Sequence, residues 1–345
     1  MILLGAASDL GFLRFVLRRA LLVLPVLIGV ISLTFIVSHV VVADPARAWA
    51  GIKASPQTVE AIRQRYHLND PLVTQFGYYI VQLASGNLGI SPVTGHSILE
   101  DIVTYYPATI ELAVAAIIIV MALGVPFGVI SAVHKDRPAD HTLRLLSLGG
   151  VSSPPFLAAL LLQLVGFYYL RIFPLSGRLD PNLNMPPRVT GFLTIDSLLS
   201  GNLVAFGSAL LHLALPATAL AFLSWGFVVR LLRSSMLDVL GNDYVRTARA
   251  KGLKESVVIY KHALLNALLP TTTVVGYIFA FMLGGSVVVE YIFSWPGIGR
   301  YAANAIITLD FPAIMGTTIV YTLTVLLINF LVDVTYAVLD PRIRL

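Results

Sequence analysis

Long uninterrupted apolar runs constrain this chain more than any other feature of its sequence. A hydrocarbon core about 30 Å thick requires about 20 apolar residues in a helix that rises about 1.5 Å per residue. Soluble cores do not need runs of this length. Six segments of the sequence meet the requirement, at 20–42, 107–133, 145–170, 203–229, 271–293 and 313–339. The sequence therefore predicts an all-α, polytopic membrane protein with six transmembrane helices.

The composition agrees with a membrane protein. Hydrophobic residues make up 57% of the chain and charged residues only 12%, whereas soluble domains carry about 25% charged residues. The absence of cysteine excludes disulfides, thiolate metal sites and cysteine nucleophiles. A net charge of +5 is explained by basic cytoplasmic loops, so we predict no nucleic-acid partner.

The distribution of lysine and arginine predicts that both termini are cytoplasmic. In that orientation the inside segments hold 15 basic residues and the outside segments hold 8, as the positive-inside rule requires. The first apolar run is longer than a secretory signal core, which favours an uncleaved anchor. The predicted organisation is a cytoplasmic segment (1–19), a first transmembrane helix (20–43), an external region (44–106) and a five-helix core (107–345) whose cytoplasmic loop covers 230–270.

The external region 44–106 is larger than a simple connection between two spans. Ser55 followed by Pro56 predicts the start of a helix there. A second external segment, 173–192, is rich in Pro, Gly and Asn and predicts an irregular loop. A docking surface for an external partner and a solvated cap over the spans both explain these segments, and the sequence does not choose between them.

A basic segment, "DYVRTARAKGLKESVVIYKHALLNALLP" (243–270), separates the fourth and fifth spans. Asp243 can cap a short helix over 244–251, and Gly252 supplies the left-handed residue that ends it. A second helix is expected to start near 254–256 and to lead into the fifth span, whose start is marked by Pro270.

Helices as short as these do not persist alone in water, so they must rest on a surface. One interpretation is an amphipathic element whose basic residues meet anionic lipid. The other is a docking helix for a cytoplasmic protein, in which Ala248 and Ala250 allow close approach while Arg246 and Arg249 meet acidic or backbone acceptors.

The order of several motifs resembles one transporter family. "DYVRTARAKGL" followed by "HALLNALLP" resembles the cytoplasmic loop of permease subunits in binding-protein-dependent ABC importers of the dipeptide/oligopeptide/nickel family. "FVLRRALLVLPVLIGVISLTF", "VVVEYIFSWPGIGR" and "NFLVDVTYAVLDPRIR" agree in the same order, so the resemblance covers nearly the whole chain. The large external region after the first span is similar to that of the B-type permease. The resemblance implies the type I ABC importer permease fold.

The resemblance also implies a role for the basic loop as the coupling helix that enters a groove of an ATP-hydrolysing subunit. The glutamate of the general importer pattern falls on Arg246, so the role of that glutamate does not transfer. The implied coupling residues are Asp243, Tyr244, Val245, Arg246, Thr247, Ala248, Arg249, Ala250, Lys251 and Gly252.

The implied partners are a homologous second permease, two cytoplasmic ATPase subunits or domains, and an external solute-binding protein. All of them would act at the lipid bilayer of the plasma or inner membrane. ATP and Mg would bind the partner ATPases, and no cofactor is expected in this chain. The sequence contains no GxxxxGK[ST], HExxH or GxSxG motif, so the chain is predicted not to be an enzyme and to bind no metal.

The third predicted span contains "SLGGVSSPPFL", whose glycines and prolines are expected to interrupt its helix. One interpretation is a flexing wall of the transport pathway, and the other is tight helix packing. The possible pathway-lining residues are Gly149, Gly150, Ser152, Ser153, Pro154, Pro155 and His212.

The other ionisable residues of the spans, His39, Glu111, Glu290 and Asp333, lie near predicted span ends. There we expect snorkelling or a helix cap to satisfy them. His212 lies deeper and either lines a pathway or hydrogen-bonds a carbonyl.

Peptide is the favoured substrate. Nickel usually requires clustered imidazole or thiolate, and this chain has no cysteine and only scattered histidines. The alternatives are a permease for nickel or another small solute, and an ATP-independent secondary carrier. Such a carrier needs a deeper set of coupled carboxylates than this sequence offers.

Overall fold

The computed structural model describes residues 2–51, 54–284 and 286–339, and the side chains of those between positions 16 and 335. Within these ranges the chain is helical, and its only β-type pairing is an isolated bridge between Ile90 and Ser97. The predicted all-α fold is confirmed. Arg342 and Arg344, which contributed to the predicted orientation, lie outside the described residues.

The helices follow one another along the chain, joined by turns and loops. Wider π-helical turns extend α1 (Val37–Val41), extend α7 (Leu164–Tyr169) and join α11 to α12 (Val258–Ala263). The helices are α1 (Ile2–Ile36), α2 (Pro45–Ala50), α3 (Pro56–Arg65), α4 (Leu72–Ala84), α5 (Ile98–Val133), α6 (Pro138–Ser152), α7 (Pro155–Gln163), α8 (Leu193–Leu199), α9 (Leu203–Leu240), α10 (Asp243–Ala250), α11 (Glu255–Val257), α12 (Leu264–Leu283), α13 (Val287–Ile292), α14 (Ile298–Thr308) and α15 (Phe311–Leu339).

Five stretches of the described chain are long and apolar enough to cross a membrane as single helices. They confirm five of the six predicted spans, although α5 and α9 extend well beyond the apolar runs. The five stretches are Val16–Val41, Ile98–Val133, Leu203–Leu240, Glu255–Leu283 and Phe311–Thr335.

The third predicted span does not form as one straight helix. It is divided into Pro138–Ser152 and Pro155–Tyr169, which meet at an angle of 107°. Ser153 and Pro154 take extended backbone conformations, with ψ of 133° and 136°. A proline lacks the helical N–H and forces the residue before it out of the helical region. The predicted interruption is confirmed at these prolines.

The fifth span starts earlier and ends earlier than predicted. Glu255 confirms the expected helix start near 254–256, but the helix then passes through Pro270 without a break and ends at Leu283. A separate helix, α13, covers Val287–Ile292. Pro270 therefore does not mark the start of the span. A proline is tolerated inside a membrane helix because neighbouring groups can satisfy the backbone carbonyl that loses its hydrogen bond.

Helix α9 lies at the centre of the fold and contacts α5, α6, α7, α8 and α12. A buried apolar cluster at one end joins Val129, Leu232, Met236 and Ala263. A second cluster at the other end joins Ile98, Ile298, Tyr301 and Ala313. We call these the α10 end and the α14 end of the bundle, after the short helix that lies at each.

The predicted start of helix α3 is confirmed. Ser55 is the N-cap and accepts a hydrogen bond from the Thr58 N–H at 3.2 Å, and Pro56 is the first helical residue. The predicted irregular loop at 173–192 contains no helix or strand. These features confirm the local predictions for the region that follows α1 and for the loop that follows α7.

Candidate functional site

The short basic helix α10 connects α9 to α11. It covers Asp243–Ala250, with Asn242 at the N-cap position and no side chain capping its first turn. The prediction of Asp243 as the cap of a helix over 244–251 is wrong by one residue. Asp243 is instead the first helical residue, where a carboxylate still interacts favourably with the helix dipole. Gly252 has a φ of +76°, which confirms it as the left-handed residue that ends the helix.

Apolar contacts within the chain hold α10 in place. Val245 and Ala248 are buried, and both pack with Val258 against the end of α9. Residues 245 and 248 share a helix face because they are three positions apart. Ala248 therefore packs inside the chain and is not available for close approach by another protein. Ala250 is exposed and remains available.

The outward side of α10 is charged. Arg246 pairs with Asp243, and both side chains are more than 70% exposed. Arg249 donates to Glu255 at 2.7 Å across the turn that follows the helix, and this hydrogen bond raises the pKa of Arg249 above its ordinary value. Two carboxylates pair with these two arginines, and the exposed Lys251 adds a third basic residue, so the outward side of α10 carries net positive charge.

The other predicted coupling residues occupy the sides of the helix. The Tyr244 hydroxyl accepts a hydrogen bond from Asn266 Nδ2 at 3.0 Å, which joins α10 to α12. Thr247 Oγ1 donates to the Asp243 carbonyl at 2.9 Å, and Lys251 is exposed just beyond the helix. The hydrogen bond between Tyr244 and Asn266, together with the buried Val245 and Ala248, fixes the orientation of α10 on the bundle.

A buried ion pair ties α9 to the start of α6 at the α10 end. Arg233 donates to both carboxylate oxygens of Asp140, at 2.7 and 2.6 Å. Ser131 Oγ and the Asp136 N–H donate to the same carboxylate, at 2.5 and 3.0 Å. Asp140 has no exposed side-chain surface. A bidentate pair with its remaining acceptor sites satisfied is a rigid connection.

The two adjacent glycines predicted to line the pathway have different surroundings. Both lie inside α6, so the prediction that they interrupt the helix is wrong. A Cβ atom at Gly150 would lie 2.4 Å from the Phe222 carbonyl oxygen of α9, whereas a Cβ at Gly149 would have no neighbour within 4 Å. Gly150 therefore permits close packing of α6 on α9, and only Gly149 remains open.

We expect G150A to destabilise the chain by about 1–3 kcal/mol, because an overpacked contact against backbone cannot relax by a side-chain movement. G149A is the matched control. It should be neutral or stabilising by up to about 1 kcal/mol, since alanine favours a helix over glycine. Thermal unfolding in detergent measures both. Equal effects of the two substitutions would contradict the packing assignment.

The remaining predicted pathway residues surround the bend and α9. Ser153 Oγ donates to the Gly149 carbonyl at 2.6 Å, and Ser152, Pro154 and Pro155 are exposed. His212 is buried in α9, with Nδ1 2.8 Å from the Ser208 carbonyl oxygen. Of its two predicted roles, the structure bears out the hydrogen bond to a carbonyl.

Buried carboxylates act as helix caps at the α14 end, as expected for span-end residues. Glu290 has no exposed surface. It accepts from Thr109 Oγ1 at 2.8 Å and from the Arg300 N–H at 2.9 Å, in the first turn of α14. Glu111 likewise accepts from the Thr194 N–H at 2.8 Å, in the first turn of α8.

The other two span-end residues are also satisfied within the chain. Asp333 pairs with Arg19 at 3.1 Å. His39 is buried, stacks on Phe35 at 4.2 Å between ring centroids and lies 2.7 Å from the Ser38 hydroxyl. These contacts favour structural roles for both residues.

A cavity of about 360 Å³ at the α14 end was not predicted from the sequence. Its polar lining includes Arg300, Asn304 and Asp310. Asp310 is buried and accepts from the Ala313 N–H at 3.0 Å. Burial raises the pKa of Asp310, and the nearby Asp101 carboxylate adds to the effect. The Asp residues are more than 200 positions apart in the chain, so no local pattern brings them together.

Among the described residues, no group of three or more His, Cys, Asp or Glu side chains is arranged to hold a metal ion. The charged groups described above form ion pairs or accept hydrogen bonds from the first turns of helices. The basic side of α10, the bend between α6 and α7, and the cavity at the α14 end all reach the surface of the described chain.

Two family models match the chain. The binding-protein-dependent transport system inner membrane component matches residues 124–345, and the N-terminal model of the same kind of membrane component matches residues 12–113.

Several curated proteins are similar over almost their full lengths. A probable D,D-dipeptide transport system permease of Escherichia coli is 44% identical over 92% of this chain and 94% of its own length. A dipeptide transport system permease of Alkalihalophilus pseudofirmus is 41% identical over 96% of this chain and 99% of its own. A glutathione transport system permease of Escherichia coli is 34% identical, with the same coverage as the second.

Proposed function

This chain belongs to the family of inner membrane components of binding-protein-dependent transport systems, and on that premise we propose that it is the permease subunit of an ATP-driven importer of peptides. The observation that carries the proposal is its similarity, over nearly the whole chain, to permeases named for dipeptide transport. Nickel import is not favoured, because none of these relatives is named for it.

In this proposal the chain forms half of a translocation pathway, and a homologous permease forms the other half. Two cytoplasmic ATPase subunits bind ATP and Mg, and an external solute-binding protein delivers the peptide. This chain needs no cofactor of its own and does not hydrolyse ATP. Its membership of a binding-protein-dependent family supports this set of partners.

We place the α10 end on the cytoplasmic side and the α14 end on the external side. The bias of basic residues toward the segments at the α10 end supports this orientation. Both chain termini would then be cytoplasmic, and the cavity beside Arg300 would open toward the external solution. Ser152, Pro154 and Pro155 are exposed at the bend between α6 and α7, which makes this bend the best candidate for a pathway wall.

The ATPase groove would receive α10 through its charged outward side. Closure of the ATPase pair on ATP displaces α10, and the contacts of Val245 and Tyr244 pass the displacement to α9 and α12. The ion pair between Asp140 and Arg233 passes it on to α6. The difference in docking free energy between the two ATPase states biases the permease between its inward-open and outward-open conformations.

Reconstitution tests the proposal. Vesicles that contain this permease with its second permease, ATPase subunits and binding protein should take up a radiolabelled dipeptide only when ATP is supplied on the ATPase side. Omission of the ATPase subunits is the control and should abolish uptake. Dipeptide uptake by the permease alone would identify a secondary carrier. ATP-driven uptake of nickel with no dipeptide uptake would contradict the substrate assignment.

A further inference from the structure

Helix α4 exposes an apolar side although it is too short to cross a membrane. Its 13 residues extend about 20 Å. Val81 and Ile80 are 65% and 42% exposed, and Val73 is 85% exposed. The sequence contains no Asp, Glu, Lys or Arg from position 71 to position 99. In water, such a surface would be an unusual hydrophobic patch.

The opposite side of α4 packs against two membrane-spanning helices. Tyr79 is buried with Phe35 of α1 and Ile319 of α15 in one apolar cluster. The Tyr79 hydroxyl is 3.1 Å from Thr34 Oγ1, and the rings of Phe35 and Phe76 are 5.0 Å apart. These contacts fix the position of α4 along the two spans.

Both spans give the same depth for α4. Thr34 precedes the end of its span at Val41 by seven residues, which corresponds to about 10 Å. Ile319 follows the start of its span at Phe311 by eight residues, or about 12 Å. The 26-residue span of α1 is about 39 Å long and overhangs a 30 Å core by about 4–5 Å at each end. The contact with Tyr79 therefore lies about 5 Å inside the hydrocarbon.

We propose that α4 is a non-spanning helix whose outward side contacts lipid acyl chains in the leaflet on the α14 side. This depth agrees with the penetration of interfacial helices, whose apolar faces are buried about 5–10 Å. In α1, which α4 contacts through Thr34 and Phe35, Leu33, Val37 and Val40 are likewise exposed within a membrane span.

The neighbouring helix α3 has the opposite character, which argues against a general docking surface on this side of the protein. It carries Glu60, Arg63 and Arg65 within ten residues, and charged groups of this kind require water. The region between α1 and α5 thus divides into a hydrated part at α3 and a lipid-embedded part at α4. Under this proposal, α4 is neither a docking surface nor a solvated cap, the two interpretations that the sequence leaves open.

This chain has no native cysteine, so a single introduced cysteine can be spin-labelled specifically in the purified chain before the chain is assembled with its partner subunits in lipid vesicles. G77C and V81C place a nitroxide spin label on the outward side of α4, one helical turn apart, and a Cβ at Gly77 meets no neighbour within 4 Å. A61C and Q64C place the same label on exposed positions of α3. Power saturation with oxygen, which concentrates in lipid, and with a water-soluble nickel chelate measures the surroundings of each label.

We expect oxygen to be several-fold more accessible than the nickel chelate at positions 77 and 81, with the order reversed at positions 61 and 64. Higher accessibility to the chelate at 77 and 81 would place α4 in water and overturn the proposal. Low accessibility to both reagents there would show that a protein covers α4 and would also overturn it. ATP-dependent uptake by each variant verifies that the labelled importer is folded.

Discussion

A250W is expected to reduce ATP-dependent peptide uptake by about tenfold or more while leaving the thermal stability of the chain unchanged. Ala250 is exposed on α10, on the side that we propose enters the ATPase groove. An indole at this position would hold α10 away from the ATPase groove. A loss of about 1.4 kcal/mol in docking free energy corresponds to a tenfold loss of affinity. Uptake by reconstituted vesicles and copurification of the ATPase subunits measure the effect.

Two further substitutions separate docking from folding. A250S keeps the small size of the side chain and should retain uptake. A248W should instead lower thermal stability, because Ala248 packs with Val245 and Val258 inside the chain. Normal uptake and normal copurification of A250W would show that this side of α10 does not contact the ATPase.

D140A is expected to destabilise the chain by about 3–5 kcal/mol, the usual cost of removing one partner from a buried ion pair. It would leave the Arg233 guanidinium, which is 18% exposed, without its counter-charge. It would also remove the acceptor for the Ser131 hydroxyl and the Asp136 N–H. Thermal or denaturant unfolding in detergent, followed by circular dichroism, measures the change in the free energy of unfolding.

The exposed pair between Asp243 and Arg246 provides the matched control. D243A should change stability by no more than about 1 kcal/mol, since solvent screens exposed pairs. If D140A prevents insertion, D140N keeps the size of the side chain and one acceptor oxygen, and should be less destabilising. Equal stabilities of D140A and D243A would contradict the assignment of the buried pair.

Local patterns in the sequence were sufficient for much of the fold. The apolar runs predict the five spans that form as single helices. Unpaired backbone polar groups are costly in hydrocarbon, and a helix pairs them within one segment. The two prolines at 154 and 155 predict the break in the third span, because proline has no backbone N–H to donate and its ring clashes with the preceding helical turn. Gly252 predicts the end of α10 because glycine tolerates a positive φ.

Other features depend on tertiary contacts that no local pattern records. The apolar run of α4 is shorter than 18 residues and therefore does not predict a span, and the proposed depth of α4 follows only from its contact with Thr34 and Phe35. Asp140 carries no sequence signal that identifies Arg233, which is 93 positions away. The prediction that Ala248 lies on the outer surface of α10 is wrong because a sequence does not show which face of a short helix packs against its own chain.

Helix α9 is a single uninterrupted helix, so a rotation applied at one end also moves the other end. Its 38 residues form a rod about 57 Å long, and Pro216 does not divide it. If the rod pivots near its midpoint by about 10°, each tip is displaced by about 5 Å, in opposite directions. In the proposed mechanism, a displacement of α10 would therefore move the two tips of α9 in opposite directions, and the pathway would narrow at one membrane surface as it widens at the other.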